Sequence, residues 1–464
     1  MLIGVIELLP QRKSLFKPLL VAFMPQVIAV WCEELGHKVH YQIVTSSEDK
    51  LNKDLDVVFI SSYTSTAYLA YAIADWYTEQ GKIVILGGPH ARSYSKDSLR
   101  YFDYVLGLTD KDLIDLVLHR GPAKGYLSAD KHPIIFPSLE QRWKYIPKNR
   151  IFPTIVPMLA STGCPRKCDF CIDSQFDYQA IDLNLVRPDL EYLSKKKETI
   201  IALWYDPNFG VKFGDTMNVI DVIQKPSTLK FGAELNIREL TEERLIILKR
   251  NNFFGVGPGI ESWFSYDRKS GDNCTAIEKV NMLAEKFKLI TKYLPLVQAN
   301  MIFGLDNYEE SFELTKDFVN KAPNIYVNYQ TITVFGDSTP MGKKYDKLIP
   351  IPYNLMDGYS STNVPLENLA EFYRGYADLC DYSSTWPKVL KRMNGQTLDV
   401  KAFYLLSRNM QSIAHYYREF AKDLQTKEFA GLYEGKTNEL PKKYCAMIKK
   451  ELGSLYREGR YGTL

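Results

Sequence analysis

The sequence predicts an α/β protein in three parts: a doubly wound domain, a partial (β/α)6 barrel and a C-terminal, mainly helical region. Three observations lead to this prediction. Apolar, strand-like runs alternate with amphipathic stretches of about 10 to 15 residues, which is the pattern of parallel βαβ units. The 464 residues exceed what one ordinary core holds. A stretch rich in Pro, Gly and Lys interrupts the alternation, and this break places the parts at 1–130, 131–157 (a linker), 158–345 and 346–464.

The first domain combines short apolar runs with two amphipathic stretches that end at glycines. We expect helices at about 18–35 and 65–79 and strands at 2–6, 38–44, 56–61 and 82–86. Ligands of such sheets bind beyond the carboxyl ends of the strands. Two of those ends are unusual, because 61–65 is rich in hydroxyl groups and 87–90 reads Gly-Gly-Pro-His, where glycine lets a ligand approach the backbone. A tight turn and ordinary helix caps are the alternative interpretation.

The middle of the chain carries six further strand-like segments, predicted at 158–162, 199–205, 229–235, 253–257, 296–303 and 327–333. With the helices between them they make six βα repeats, which suits a partial barrel better than a full one. Beyond them, apolar residues recur at helical spacing, and we expect helices at 366–382, 387–393, 400–420 and 442–456. This last region is rich in tyrosine and phenylalanine, which indicates core packing or the lining of a substrate pocket.

A cluster of three cysteines is the strongest chemical signal. Cys164, Cys168 and Cys171 follow a Cys-x3-Cys-x2-Cys spacing. Thiolates are soft ligands suited to iron–sulfur clusters, and three of them would leave the fourth iron of a cubane open for chemistry. Zinc is the alternative, but a zinc knuckle needs a fourth ligand nearby, and the next cysteine is Cys274 with no histidine before it. Disulfides fit poorly with seven cysteines and no secretory signal.

The cysteine run resembles the signature of radical S-adenosylmethionine (SAM) enzymes, and the resemblance extends from about Met158 to Met341. It implies a [4Fe–4S] cluster whose open iron binds the amino and carboxylate groups of SAM. One-electron reduction then yields methionine and a 5′-deoxyadenosyl radical, which takes a hydrogen atom from the substrate. It also implies an electron donor such as flavodoxin or ferredoxin. A non-catalytic iron–sulfur protein is a remote alternative, because closed clusters use four cysteines.

The same resemblance implies SAM-binding residues at the strand ends, where barrel enzymes place their working residues. These residues are Phe170, Asp206, Asn208, Glu234, Gly257, Glu261, Ser262 and Ile302. Asp206 and Asn208 match a segment near the methionine moiety, although an Asp-Pro turn followed by a helix cap is the alternative interpretation. Glu234 lies inside an otherwise apolar strand, which is a costly position unless it opens onto the barrel mouth.

The remaining predicted SAM residues would contact the nucleoside. Gly257, Glu261 and Ser262 belong to a glycine-rich strand end whose exposed backbone and polar side chains can reach the ribose or adenine. Phe170 precedes the last cysteine, where the family has an aromatic ring beside adenine. Ile302 lies in a strand that resembles the family's segment packing along adenine.

The first domain resembles the Rossmann-like, cobalamin (B12)-binding domain that precedes the barrel in many radical SAM proteins, on the segments 36–39, 61–65 and 87–91. The residues it implies for cobalamin binding are Ser61, Ser62, Thr64, Gly87, Gly88 and His90. Two family features are missing: the Asp-x-His-x-x-Gly loop that gives cobalt a lower His, and an acidic turn replaced here by 104–110. Two outcomes stay open. One is cobalamin-dependent methylation of an unactivated carbon. In the other, the first domain is vestigial, and the barrel catalyses a rearrangement, dehydration, oxidation or cyclisation.

Composition limits the partners. The chain has 58 Lys plus Arg against 55 Asp plus Glu, for a net charge of +3, so neither nucleic acid nor an anionic membrane is required. The start lacks the features of a signal peptide, and no long uncharged apolar stretch follows. We expect a cytoplasmic protein without a transmembrane segment that acts on a small molecule or peptide.

Overall fold

A computed structural model describes residues 1–10, 20–119, 121, 123–148, 153–264, 274–336, 339–345, 347–393 and 413–461. Two large parallel sheets organise this part of the chain. None of its helices combines the length and the apolar character needed to cross a membrane.

The first sheet has the strand order β2-β1-β3-β4-β5-β6, and all neighbours are parallel. Its elements are β1 (Leu2–Leu8), α1 (Phe23–Glu34), β2 (Lys38–Val44), β3 (Val57–Ser61), α2 (Ala67–Thr78), β4 (Ile83–Gly87), α3 (Pro89–Ser93), α4 (Ser95–Ser98), β5 (Tyr104–Leu106), α5 (Lys111–Leu118) and β6 (Gly125–Leu127). The order reverses between β1 and β3, and ligands of doubly wound sheets bind in the crevice at such a point.

The first sheet is buried on both faces, as parallel sheets are. Val5 and Phe59 point to the face covered by α1 and α5, whereas Ile6 and Ile60 point to the face covered by α2. The alternation of side chains along a strand explains both sets. The carboxyl edge therefore remains the accessible side of the sheet.

The second sheet is the predicted partial barrel. Six strands, β7, β10, β11, β12, β14 and β15, pair in parallel in chain order. The elements are α6 (Leu139–Arg142), β7 (Thr154–Met158), β8 (Ser161–Thr162), β9 (Gln179–Ala180), α7 (Leu183–Ser194), β10 (Ile200–Trp204), α8 (Phe213–Asp221), β11 (Leu229–Ala233), α9 (Glu242–Arg250), β12 (Phe253–Val256), β13 (Gly259–Glu261), α10 (Ala276–Tyr293), β14 (Leu296–Phe303), α11 (Tyr308–Lys321) and β15 (Tyr326–Thr331).

The start of the barrel differs from the prediction. Its first strand is 154–158 rather than 158–162, so it begins inside the segment predicted as linker. Pro157 cannot donate a hydrogen bond, but it is accommodated because β7 is the edge strand of the sheet. Ser161 and Thr162 instead pair with β9 in a small antiparallel hairpin.

The C-terminal region is helical, with α12 (Leu369–Ser383), α13 (Trp386–Met393), α14 (413–423), α15 (Lys427–Tyr433) and α16 (Lys442–Leu452). The first part of the helix predicted at 400–420 lies outside the described residues. This region does not build a core of its own. Phe372 and Tyr417 join the barrel core, whereas Ile448 and Leu452 of α16 pack on the first sheet with α2.

Candidate functional site

The three cysteines lie on one loop that follows β8 at the head of the barrel. All three are free thiols, with Cys164 buried and Cys168 and Cys171 half-buried. The Cys171 amide donates to the carbonyl of Cys168 over 3.1 Å, which folds the second half of the loop into a turn. Burial, with a smaller contribution from the charge of Asp173, raises the pKa of the Cys171 thiol to about 11.

The base of the cysteine loop depends on a glycine. Gly163 has φ +66°, and a Cβ there would overlap the carbonyl groups of Phe176 and Asp177. The same approach lets the Cys164 amide donate to the Phe176 carbonyl over 3.3 Å. The first cysteine is therefore held by the backbone on the far side of its own loop.

Asp206, a predicted SAM ligand, hydrogen-bonds to the segment that precedes the cysteine loop. Its buried carboxylate, just beyond the end of β10, accepts hydrogen bonds from the Ala160 amide at 3.1 Å and the Ser161 hydroxyl at 2.5 Å. Burial raises its pKa to about 6, although these hydrogen bonds lower it. Asp206 thus fixes the segment that leads into the loop.

Asn208 is also committed to internal contacts. Its side-chain oxygen accepts from the amides of Gly210 at 3.2 Å and Asn236 at 3.3 Å, and its nitrogen donates to Glu239 at 3.2 Å. Glu239, which the sequence analysis does not single out, also pairs with Arg166 of the cysteine loop at 3.5 Å. The ends of β10 and β11 are thereby tied to the loop.

Phe170 and Ile302 come together near the loop. Both pack against a small apolar cluster at the carboxyl ends of β14 and β15, formed by Ile332, Val334, Met341 and Val364. The Met341 amide donates to the carbonyl of Asp169 over 3.0 Å, which joins this cluster to the loop. An apolar surface therefore lies beside the cysteines, where the sequence analysis expects adenine.

Glu234 and Gly257 also meet. Glu234 is exposed directly after β11. A Cβ at Gly257 would lie 3.6 Å from Glu234 Cγ and 3.4 Å from Asn300 Nδ2, so the glycine keeps space open between a carboxylate and an amide. These groups provide hydrogen-bonding chemistry suited to a ribose or an amino acid.

Glu261 is the last residue of a short additional strand, β13, and Ser262 follows it. Glu261 has φ +62°, a conformation that non-glycine residues rarely adopt and that marks functional or strained sites. The Ser262 hydroxyl donates to the carboxylate of Asp306. The buried ammonium group of Lys279 donates to the Ser262 carbonyl over 2.5 Å and holds this turn from α10.

The predicted cobalamin residues divide into two groups. Ser61, Gly87 and Gly88 are half-exposed on the carboxyl edge of the first sheet. Gly88 has φ +93°, and a Cβ there would lie 2.8 Å from the Ser62 carbonyl. A Cβ at Gly87 would meet nothing within 4 Å, so this edge leaves open space for a bound group.

The other three residues that the resemblance implies for cobalamin, Ser62, Thr64 and His90, are buried. The His90 ring contacts the Tyr71 hydroxyl at 2.7 Å and the Thr64 hydroxyl at 3.4 Å, and burial lowers its pKa to about 3. The Ser62 hydroxyl contacts that of Thr66 at 2.9 Å. These side chains make their hydrogen bonds within the domain.

The donor set fits an iron–sulfur cluster by its chemistry. It offers three soft ligands on one short loop, and Cys32 and Cys380, as buried core residues, supply no fourth thiolate. In the part of the chain that the structure describes, no group of three or more His, Cys, Asp or Glu side chains is arranged to hold a metal ion.

Two known proteins are similar in sequence. The bacteriochlorophyllide d C-12(1)-methyltransferase of Chlorobaculum tepidum is 24% identical over 375 residues, which cover 74% of this chain and 78% of that protein. The C-8(2)-methyltransferase of the same organism is 26% identical over 322 residues, covering 64% and 70%. No protein-family model matches the chain.

The fold is shared with a solved methyltransferase. The radical SAM methyltransferase TsrM from Kitasatospora setae, solved with cobalamin and a [4Fe–4S] cluster, superposes with a TM-score of 0.58. At 12% identity the match covers 90% of this chain and 99% of TsrM. A second TsrM structure, with tryptophan and a SAM analogue, gives 0.53 at 14% identity, covering 74% and 75%. With its three-cysteine loop at the head of six parallel strands, the chain shares the fold of this radical SAM methyltransferase and is similar in sequence to two bacteriochlorophyllide methyltransferases.

Proposed function

We propose that this chain is a cobalamin-dependent methyltransferase, in which Cys164, Cys168 and Cys171 bind a [4Fe–4S] cluster. The observation that carries the proposal is the position of the cysteine loop, beside the apolar surface that includes Phe170 and Ile302. When bound, the cofactors supply an electron that cleaves SAM to methionine and a 5′-deoxyadenosyl radical, and a carrier for the methyl group given to an unactivated carbon.

The residues around the loop would bind and orient SAM. Phe170 and Ile302 would cover adenine with apolar surface, because both border the same cluster. Glu234 and Glu261 would accept hydrogen bonds from the ribose or the amino group. Asp206 and Asn208 act as positioning residues in this proposal, because their side chains hydrogen-bond to the segment before the loop and to the strand ends.

The two bacteriochlorophyllide methyltransferases support methylation. One observation favours the alternative, which is a non-methylating radical enzyme with a vestigial first domain. Ser62, Thr64 and His90, half of the predicted cobalamin residues, are used in the domain's own core. Cobalamin would therefore rest on the edge formed by Ser61, Gly87 and Gly88. An electron donor such as flavodoxin or ferredoxin and a small-molecule or peptide substrate complete the proposal.

The cluster assignment is tested by replacing Cys164, Cys168 and Cys171 singly with Ala. Each change removes one of three ligands, so we expect loss of bound iron and of 5′-deoxyadenosine formation after anaerobic reconstitution. Cys445→Ala, at an exposed cysteine on α16, is the matched control and should retain both. Turnover that persists in a loop variant would contradict the assignment.

The cobalamin assignment needs a separate measurement. The full chain is reconstituted anaerobically with hydroxocobalamin, desalted, and its absorbance spectrum recorded. We expect the wild-type protein to retain corrin bands. These bands should decrease in a Gly87→Trp variant, because the tryptophan side chain fills the open edge of the sheet. A wild-type spectrum without corrin bands would favour the non-methylating enzyme.

A further inference from the structure

The inner face of β14 and β15 is polar. Along both strands half-buried residues alternate with buried ones. The buried set faces the helices: Met301 sulfur accepts from Thr315 on α11, and the Tyr329 hydroxyl contacts Ser383 on α12. The half-buried set therefore points into the barrel. It includes Gln298, Asn300, Asn328 and Gln330.

These four amides form a hydrogen-bonded wall. Gln298 Nε2 and Asn328 Nδ2 donate to Asn300 Oδ1 at 2.7 Å and 3.0 Å. The Tyr359 hydroxyl donates to Asn328 Oδ1 at 3.3 Å and accepts from Gln330 Nε2 at 3.2 Å. All five side chains are uncharged. A phosphate or carboxylate would give up its hydration here for neutral partners, which is costly.

The wall has unused hydrogen-bonding capacity. Within the described residues, the side-chain oxygens of Gln298 and Gln330 accept no hydrogen bond, and the side-chain nitrogen of each of these two residues donates one hydrogen bond in the wall. Tyr359 is fixed from behind, because its amide donates to Asp357 at 2.8 Å and its carbonyl accepts from Tyr417 at 2.5 Å. The wall is thus preorganised to receive both donors and acceptors.

Two apolar side chains lie on the strands that precede β14 in the sheet. Leu203 on β10 and Phe254 on β12 close over Gly232 on β11, where a Cβ would lie 2.8 Å and 3.1 Å from their side chains. The absence of a side chain at Gly232 lets the two meet in a continuous surface.

We propose that the barrel interior binds, as substrate, a flat uncharged aromatic ring system that carries N–H donors and carbonyl acceptors along one edge. The ring face packs on Leu203 and Phe254, and the edge bonds to Gln298 and Gln330. This inference rests on the proposed function, because the bound ring lies where a radical formed at the cysteine loop would reach it.

The test uses the reconstituted full chain and two probes, indole-2-carboxamide and naphthalene-2-sulfonate, with dissociation constants from calorimetry. We expect the carboxamide to bind and the sulfonate not to bind. Gln298→Met and Gln330→Met keep side-chain length but lose the hydrogen bonds, so each should weaken carboxamide binding by roughly 5- to 10-fold. The exposed Gln80→Met is the matched control and should bind like wild type.

Formation of 5′-deoxyadenosine without substrate is measured on the same samples. A thermal unfolding midpoint like that of wild type in Gln298→Met and Gln330→Met shows that the variants fold. Carboxamide affinity unchanged in both variants, or tighter binding of the sulfonate, would overturn the inference. Absence of 5′-deoxyadenosine in the wild type would instead contradict the proposed function, whatever the probes do.

Discussion

Glu7 is the next-to-last residue of β1, which borders the point where the strand order of the first sheet reverses. Its carboxyl group is 1% exposed and accepts hydrogen bonds from the Ala22 amide and the Tyr41 hydroxyl. Ala22 is the N-cap of α1, so the carboxyl group satisfies a helix N-terminus that has no cap of its own. Burial raises its pKa to about 7, although both hydrogen bonds lower it.

The raised pKa of Glu7 predicts a pH dependence of stability. The native protein holds this proton more tightly than the unfolded chain, so its contribution is present at low pH and is lost as pH rises through about 7. Between pH 5 and 8 the loss amounts to roughly 3 kcal/mol. Glu7→Gln cannot ionise, so it should gain stability relative to wild type over this range, measured as Tm at each pH.

A matched control separates Glu7 from other carboxylates. Glu48→Gln changes an exposed glutamate of the same domain and should leave the pH dependence of Tm unchanged. Parallel Tm profiles for Glu7→Gln and wild type would show that Glu7 is not the titrating group.

A buried ion pair joins helices that pack on the two different sheets. Arg142 on α6 bonds to Asp189 on α7 at 3.3 Å and to Gln26 on α1 at 3.4 Å. Its guanidinium also lies 4.3 Å from the ring centroid of Phe23. Burial lowers the pKa of Arg142 to about 10, while Asp189 acts in the opposite direction. One side chain thus connects a helix of the first domain to a helix of the barrel.

Removing one partner of this ion pair should lower the free energy of unfolding. Asp189→Asn leaves a guanidinium that is 1% exposed without its counter-charge, for which we expect a loss of about 3 to 5 kcal/mol. The double change of Arg142→Met and Asp189→Leu should recover most of it, because well-packed apolar residues often replace a buried pair. Denaturant unfolding gives both values.

The exposed pair of Lys316 and Glu313 is the comparison for the buried one. Glu313→Gln should change the unfolding free energy by less than about 1 kcal/mol, because solvent screens such pairs. Equal losses for Asp189→Asn and Glu313→Gln would contradict the assignment of Arg142 as a buried connection.

The elements show what sequence patterns can and cannot predict. Alternation of apolar runs predicts β2 over 38–44, and the structure has it at Lys38–Val44. The barrel start was placed too late, because Pro157 resembles the end of a linker and its tolerance depends on β7 being an edge strand. Helix α7 begins at Leu183, because Asp182 caps it by accepting from the Asn184 amide.

At the scale of the whole molecule, the contacts that sequence patterns miss join distant segments. Arg460 pairs with Asp75 at 2.7 Å, and the Tyr461 hydroxyl donates to Asp75 at 2.8 Å, so the end of the chain closes over α2. Periodicity reports which face of an element is apolar but not which neighbour covers it. For the same reason the cysteine loop is predictable from the sequence, whereas the amide wall is not, because its members meet only across strands.

A second long-range contact links the first domain to the cysteine loop. Arg92 on α3 lies 5.3 Å from the ring centroid of Phe176, and His132 packs its ring edge-on at 4.8 Å. The Phe176 carbonyl in turn accepts from the Cys164 amide. Phe176 therefore contacts both the first domain and the first cysteine of the loop.

Arg92→Met should loosen this contact and remove a positive charge near the cysteine loop. Loss of about 1 kcal/mol of cation–π packing predicts roughly fivefold faster removal of iron by a chelator. The midpoint potential of the cluster should also shift to more negative values, because nearby charge tunes it. Arg92→Lys, which keeps the charge, should restore the potential more than the chelation rate. Arg100→Met, at an exposed arginine of the same domain, should match wild type in both measurements, and the same result for Arg92→Met would exclude a link from the first domain to the cluster.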